Sequence, residues 1–513
     1  MDKKIIINNS RIAKNTILLY IRQLIIIVVS LYTSRIVLNT LGEEDFGIYN
    51  VVGGIVVMFS FLSSTMASAS QRYLSVDLAK DNKLRLKETF SLIALSYVVI
   101  AIFVFVLCET IALWFLNTKM NIPSVRIVAA NWVLQCSFLA FLTNVLSTPY
   151  LSVIIAREKM DIYAYVSLID AILKLLIVFI LPLTKEDKLI LYAILIFIST
   201  LISSCCYVLY CIYNFEESRY MFFYDKNRLK DMFSFAWWNI IGAISNVLRS
   251  EGINVLLNVF FNPIVNAARG IAFSVNAALT NFTNSFYTAV RPQIIKRYSA
   301  GAVVQMFELI FMSSKFAYYL LFVLALPILF ETEGILFLWL KKPPVGSALF
   351  VRLIIVNALL EVLNYPLVNA LQATGRIKTY QIIVSGCYLL NLPISYILLK
   401  NGYGPEFTMY TSIFLLMACF IPRLVICKKE FGLSIFEYLK KVILKIILVT
   451  FGGGLIGFWI TKKIFIGEGI EMLVTRCLLL MTFTIFVIYF FGIASGEKKT
   501  INNIVLTKIK KYD

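Results

Sequence analysis

Histidine is missing from the 513 residues altogether, which removes the commonest general base and metal ligand at once. Charge is scarce too: Asp, Glu, Lys and Arg make up 15% of the chain, against about 25% in a soluble globular protein. The nine cysteines (Cys108, Cys136, Cys205, Cys206, Cys211, Cys387, Cys419, Cys427 and Cys477) lie in or at the ends of apolar segments, without a CxxC pair. That pattern argues against a disulfide framework and a thiolate metal site. Large loops are lacking on the side poor in Lys and Arg, where the longest connection is 331–347. A membrane glycosyltransferase or polymerase needs more room there for its acid/base groups. The expectation is no catalysis, no metal and no bound cofactor.

What abounds is apolar sequence. Hydrophobic residues make up 60% of the chain, in runs of about twenty, the length that crosses a bilayer core. The expected fold class is an all-α polytopic membrane protein with 14 spans, at 12–39, 48–70, 89–116, 126–148, 162–182, 189–213, 233–259, 265–290, 303–330, 348–370, 379–399, 406–427, 442–461 and 471–494. The basic start "MDKKIIINNSRIAKN" precedes an apolar stretch too long for a signal-peptide core, so the first span is expected to stay.

Counted across this topology, alternate connections hold 30 Lys and Arg on one side and 8 on the other. The positive-inside rule then puts both termini in the cytoplasm. The same bias accounts for most of the formal +19 charge. Spread over many short loops, it reads as a topology signal facing anionic lipid rather than a nucleic-acid surface.

The chain also echoes itself. "PYLSVIIAREKMDIYAYVSLIDAILKL" (149–175) aligns without gaps on "PLVNALQATGRIKTYQIIVSGCYLLNL" (366–392), with Tyr163 on Tyr380 and Lys159 on Arg376. A second echo, "LNTLGEEDFG" (38–47) on "LNVFFNPIVN" (257–266), has nearly the same offset and sets Arg72 on Arg291. The offset spans six helices, so the expected lobes are 1–213 and 233–427, joined by a cytoplasmic linker at 214–232. Residues 428–513 hold two further helices and a basic tail. Parallel halves of this kind build transporters with a site near the midplane.

"TSRIVLNTLGEEDFGIYNVVGGIV" resembles the first hairpin of polysaccharide repeat-unit flippases: an arginine, Leu-Gly, an acidic pair, then an aromatic and Gly. "NALQATGRIKTY" is similar to that family's small-residue cytoplasmic turn. The wider superfamily includes the lipid II flippase and multidrug exporters. The resemblance implies two six-helix lobes around a central cavity that opens alternately to either face of a bacterial cytoplasmic membrane. It implies as substrate an undecaprenyl-pyrophosphate-linked oligosaccharide bound for O-antigen, capsule or exopolysaccharide. A monomer driven by an H+ or Na+ gradient or by the membrane potential is expected, with other polysaccharide-assembly proteins as candidate partners. A lipid II flippase and a cation-coupled multidrug exporter are the alternatives.

Charges inside the spans select the candidate site. Arg126, Arg352, Lys445 and Arg476 lie near span ends and are expected to snorkel. Arg35 is expected to brace the first hairpin through Glu43, Glu44 or Asp45. Arg22 lies about 15 Å into span 1 by helical rise, with no acid in that span. Arg249 and Arg269 pose the same problem in the matching hairpin, where Glu251 is two residues from Arg249. Lys315 is a fourth candidate, with Glu308 two turns away.

Arg22, Arg249, Arg269 and Lys315 are therefore the expected substrate-binding residues. Guanidinium suits the pyrophosphate that the resemblance implies, because its fork of donors matches phosphate oxygens and stays charged. The lipid II flippase uses arginines of spans 1 and 8, which Arg22 and Arg269 match by helix. A buried brace is the competing reading for each. Asp170 and Lys174, four apart, are expected to neutralise each other, with coupling as the other reading. Glu361 is a candidate counter-ion or proton-binding carboxylate. Trp237, Trp238 and Asn239 stand where a glycan would pass, and equally where tryptophan anchors a span end.

Overall fold

The computed structural model describes residues 2–79, 82–157, 159–374, 378–461, 469–493 and 497–498. Arg376 and the side chains of Trp237, Trp238 and Asn239 lie outside the described ones. Among the described residues every regular element is helical, and 11 helices are long and apolar enough to cross a membrane. The protein is an all-α, multi-pass membrane protein.

Ten of these helices coincide with expected spans; the first two expected spans run differently, and 233–259 and 265–290, which hold α8 to α10, are not among the 11. Helix α1 (Asp2–Val57) is broken at Gly42, whose φ of 85° and ψ of 171° leave helical space. Glycine carries such a φ without steric cost. The second span therefore starts at 43, pauses after Val57 and resumes as α2 (Ser60–Ala79).

Contacts divide the chain into two compact units. The first is Met1–Ser274 with Pro344–Gly346 and Ser385–Thr408; the second takes Val275–Pro343, Ser347–Val384 and Met409–Asp513. In the first unit follow α3 (Lys83–Leu107), α4 (Leu113–Lys119), α5 (Ile127–Ala156), α6 (Met160–Ile180), α7 (Lys188–Asn214), α8 (Lys226–Val247), α9 (Ile253–Phe260) and the start of α10 (Pro263–Ser299). Local signals set the starts. Asn82 accepts the Arg85 N–H at 3.0 Å, Asp225 caps α8, and Pro263 opens α10, where its missing N–H costs nothing.

The core lies where α5 packs against α3 and α7; Phe90, Tyr97, Leu134 and Phe138 are at most 1% exposed there. In lipid such contacts are held by packing rather than by escape from water. Small buried residues, Ala129 and Ala130 on α5 and Ala193 and Ser204 on α7, allow close approach. The segment 214–232 is laid against this unit. Glu217 binds Arg157 at 2.5 Å, Arg228 binds Glu88 at 2.9 Å, and the Met221 N–H donates to the Ser91 hydroxyl.

Three features fix α1 to its neighbours. Asparagines recur every fourth residue at 254, 258, 262 and 266. The Asn266 amide donates to the Asn254 carbonyl at 2.7 Å and to its side chain at 2.9 Å. Asn254 donates to the Asn50 carbonyl at 3.2 Å, and Asn258 accepts from the Asn121 N–H at 3.1 Å. This amide ladder satisfies groups that would be costly to bury unpaired. Second, Gly47 sits so close to α10 that an added Cβ would lie 1.8 Å from the Pro263 carbonyl oxygen.

Third, Arg126 is not a snorkelling residue. It forks onto Asp45 at 2.8 and 2.5 Å and reaches Asp187 at 2.6 Å, pinning the hairpin of α1 to the starts of α5 and α7. Asp45 is thus taken by Arg126, and among the described residues Arg35 has no carboxylate within 4.0 Å. Asp187 also caps α7 through the Leu189 and Ile190 N–H groups. Burial raises its carboxyl and the Arg126 hydrogen bond lowers it; the balance lies below the ordinary value. A depressed acid stabilises the fold above its unfolded pKa and stops doing so as pH falls through its folded one. The melting temperature is expected to hold above about pH 4 and drop below it. Asp187→Asn lowers the neutral-pH plateau and flattens that acid limb in a pH series of thermal melts.

The second unit contains the rest of α10, then α11 (Val303–Phe330), α12 (Thr332–Leu340), α13 (Ser347–Glu361), α14 (Tyr365–Thr374) and the helices Phe407–Ala418, Phe420–Phe431, Leu444–Trp459 and Ile470–Val487. Its span-end charges have partners as well. Arg476 meets Glu331 at 3.2 Å, Arg352 meets Glu333 at 3.2 Å, and Lys445 donates to the Phe491 carbonyl at 3.2 Å. Each of the three thus has a specific partner, for Arg352 and Lys445 at an exposed position.

Candidate substrate-binding site

Arg22 lies on α1 over the face of Tyr163 on α6, with its Cζ 4.6 Å from the ring centroid. Its Nη2 donates to the neighbouring Gln23 side chain at 3.2 Å. Among the described residues Nε and Nη1 are buried without a hydrogen-bond partner, and no carboxylate lies within 4.0 Å. A cation–π contact offsets part of the cost of burial, worth about 2 kcal/mol when desolvated. The charge is left intact.

Arg249 belongs to a π-helical turn, Leu248–Gly252, inserted between α8 and α9. Such turns alter the facing of side chains and occur often at functional sites. The Arg249 guanidinium lies over Tyr388 at 4.8 Å. Glu251, on the same turn, approaches Gly54 so closely that a Cβ there would be 2.7 Å from its carboxylate oxygen. Residues two apart diverge on an α-helix and on a π turn alike, and Glu251 acts on Arg269 while Arg249 lies over Tyr388.

Arg269 is 4% exposed. Its Nη2 donates to the Ser250 carbonyl at 2.8 Å, its Cζ is 4.2 Å from the Phe273 centroid, and the Glu251 charge acts on it. Among the described residues its Nε is buried without a partner. The fold brings Arg249, Glu251 and Arg269 to one hairpin, while Arg22 stands against α6.

Lys315 lies in the second unit and is 4% exposed. Its ammonium is held by both oxygens of Glu497 at 2.7 and 2.8 Å, not by Glu308. A buried cation gripped this way leaves little for a substrate, so Lys315 is better explained as the tie between α11 and the segment after Ile470–Val487. Glu361 ends α13 in the same unit.

Asp170 and Lys174 pair on α6 at 2.7 Å, in keeping with their spacing, and Ser199 of α7 also donates to Asp170 at 3.1 Å. A cavity of about 620 Å³ in the first unit, bordered by Thr143, Ser147, Tyr150, Ser204 and Tyr220, contains none of the candidate arginines. Among the described residues no cluster of Cys, Asp and Glu could hold a metal ion.

Chemically, the first unit presents permanent positive charges seated on aromatic faces, an arrangement suited to an anion in an apolar setting. What sequence reasoning missed were these faces, Tyr163 and Tyr388. They lie more than a hundred residues from the arginines they hold, and nothing in the local pattern marks them.

The fold is shared with known transporters. Lipid II flippase MurJ in an inward closed conformation superposes with a TM-score of 0.67 at 14% identity, over 92% of this chain and 99% of that one. An inward-facing multidrug resistance MATE family transporter of the MOP superfamily gives 0.67 at 10% identity, over 79% and 95%. The MATE multidrug transporter DinF-BH gives 0.62 at 15%, over 83% and 97%. No curated protein sequence matches the chain. The family model for polysaccharide biosynthesis proteins matches residues 12–297, more than half of the sequence, and by that match the chain belongs to the polysaccharide biosynthesis protein family.

Proposed function

We propose that the protein carries an undecaprenyl-pyrophosphate-linked oligosaccharide repeat unit from the cytoplasmic to the outer leaflet, by alternating access and without chemical conversion. The observation that carries this reading is Arg22: a full positive charge inside an apolar helix, seated on Tyr163, with two buried nitrogens still to be satisfied. An intramembrane arginine is costly enough to be a functional residue by default, and a pyrophosphate meets its needs. Arg249 and Arg269 supply further positive charge from the hairpin of α9 and α10. In this reading the lobes are 1–213 and 233–427, the termini are cytoplasmic, and a monomer works in a bacterial cytoplasmic membrane. Asp170, Lys174 and Glu361 are the groups through which an ion gradient or the potential would couple.

A multidrug exporter needs an acid open to a cationic substrate. Asp170 is engaged by Lys174 instead, which weighs against that alternative. The test is a lipid extraction from cells lacking the protein, profiled by mass for polyprenyl-pyrophosphate sugars. Accumulation of one complete repeat unit, with loss of the surface polymer, is the expected result. An unchanged pool in cells newly sensitive to cationic drugs would overturn the reading, and accumulation of lipid II would reassign the substrate.

A further inference from the structure

We propose that Tyr163 is the seat that orients Arg22 for anion binding, and that Lys174 keeps that arginine available to an anion by occupying Asp170. The inference rests on the flippase reading above and names two positioning residues for it.

The geometry of guanidinium makes the seat effective. Its N–H donors radiate in one plane, whereas a ring 4.6 Å from Cζ takes up a face. A carboxylate partner would fill the donor fork and cancel the charge; an aromatic face does neither. Nε and Nη1 are accordingly left without partners among the described residues. A phosphate oxygen can satisfy either, and a pyrophosphate has oxygens enough for both.

The threat to such a receptor is an acid on the same helix. Tyr163, Asp170 and Lys174 are spaced i, i+7 and i+11, which puts them along one face of α6. Asp170 stands about 10 Å from Tyr163 along the axis. Tyr207 of α7 lies within electrostatic reach of Arg22, Tyr163 and Asp170 together. The Asp170 carboxylate is nonetheless held by Lys174 at 2.7 Å, with Ser199 and Ser203 donating at 3.1 and 3.4 Å. Arg249 over Tyr388 repeats the arginine-on-tyrosine arrangement.

The test uses the full-length protein in lipid nanodiscs with undecaprenyl pyrophosphate as probe and inorganic pyrophosphate as competitor. Wild type binds and R22A does not. Y163L is expected to weaken binding about tenfold and Y163F to restore it to within about threefold, since phenylalanine keeps the ring face. K174M also weakens binding, because Asp170 is released toward Arg22, and D170N/K174M recovers it. Competition by inorganic pyrophosphate assigns the contact to the phosphates rather than the lipid tail. Y163L binding like wild type overturns the seat while leaving the flippase reading intact, as does equal loss in Y163L and Y163F. Should Y163L fail to fold, equal affinity in wild type, K174M and D170N/K174M overturns the proposal. Failure of wild type to bind the probe removes the flippase reading and this inference with it.

Discussion

Arg22→Ala stops substrate movement and leaves a protein that melts at a higher temperature than wild type. Two charge-assisted hydrogen bonds to a phosphate contribute about 1.5–3 kcal/mol each, so their removal lowers transport by at least about a hundredfold. The stability change has the opposite sign. An arginine at the centre of a span costs about 2.5–3.5 kcal/mol to insert, and its contact with Tyr163 returns only part of that. A purely structural arginine predicts the reverse: R22A would melt lower and keep its activity. Arg22→Lys gives an intermediate case, because a point charge replaces a planar fork. The checks are the lipid-linked sugar pool of complemented cells and the thermal melt of each purified variant.

Gly47→Ala is expected to be the most damaging single methyl in the first unit. The added Cβ would sit 1.8 Å from the Pro263 carbonyl oxygen, a backbone atom that cannot rotate away. Overpacking costs typically about 1–3 kcal/mol. Here the helices must also separate, which strains the Asn254 bond to the Asn50 carbonyl. Two neighbours serve as controls. At Gly54 the clash is with the Glu251 carboxylate at 2.7 Å, the mobile end of a side chain, so Gly54→Ala costs less. At Gly53 the nearest atom is the Ser137 hydroxyl at 3.9 Å, so Gly53→Ala gains about 0.5–1 kcal/mol of helix propensity. Melting temperatures in the order G53A, wild type, G54A, G47A would bear this out; equal values for G47A and G53A would refute it.

Gly47 also shows how far the sequence can be read. "EEDFG" is visible as a pattern, but the reason for its glycine is a carbonyl more than two hundred residues away. Helices and their spacing are legible because a bilayer imposes one local rule, length and apolarity, on every span. Charges without a neighbour of opposite sign on their own helix are legible by the same local accounting, as Arg22 was, and so was the i, i+4 pair Asp170–Lys174.

Lateral partners are not legible. Arg126 was read as an interface residue although it holds two acids from distant segments, and Glu497 was invisible as the partner of Lys315. The π turn at 248–252 was not legible either, nor that Glu251 faces Arg269, eighteen residues on. The four-residue recurrence of Asn254, Asn258, Asn262 and Asn266 lay in plain view, yet only the fold shows that Asn254, Asn258 and Asn266 join one amide network.

Asn254, Asn258 and Asn266 make the hairpin of α9 and α10 a clasp rather than a row. Asn266 folds back across the turn onto Asn254, Asn258 reaches Asn266, and the outer bonds run to Asn50 and Asn121. Amides carry no charge, so neither ionic strength nor physiological pH loosens the clasp. An ion pair in the same place would slacken as salt rose or as its acid took a proton.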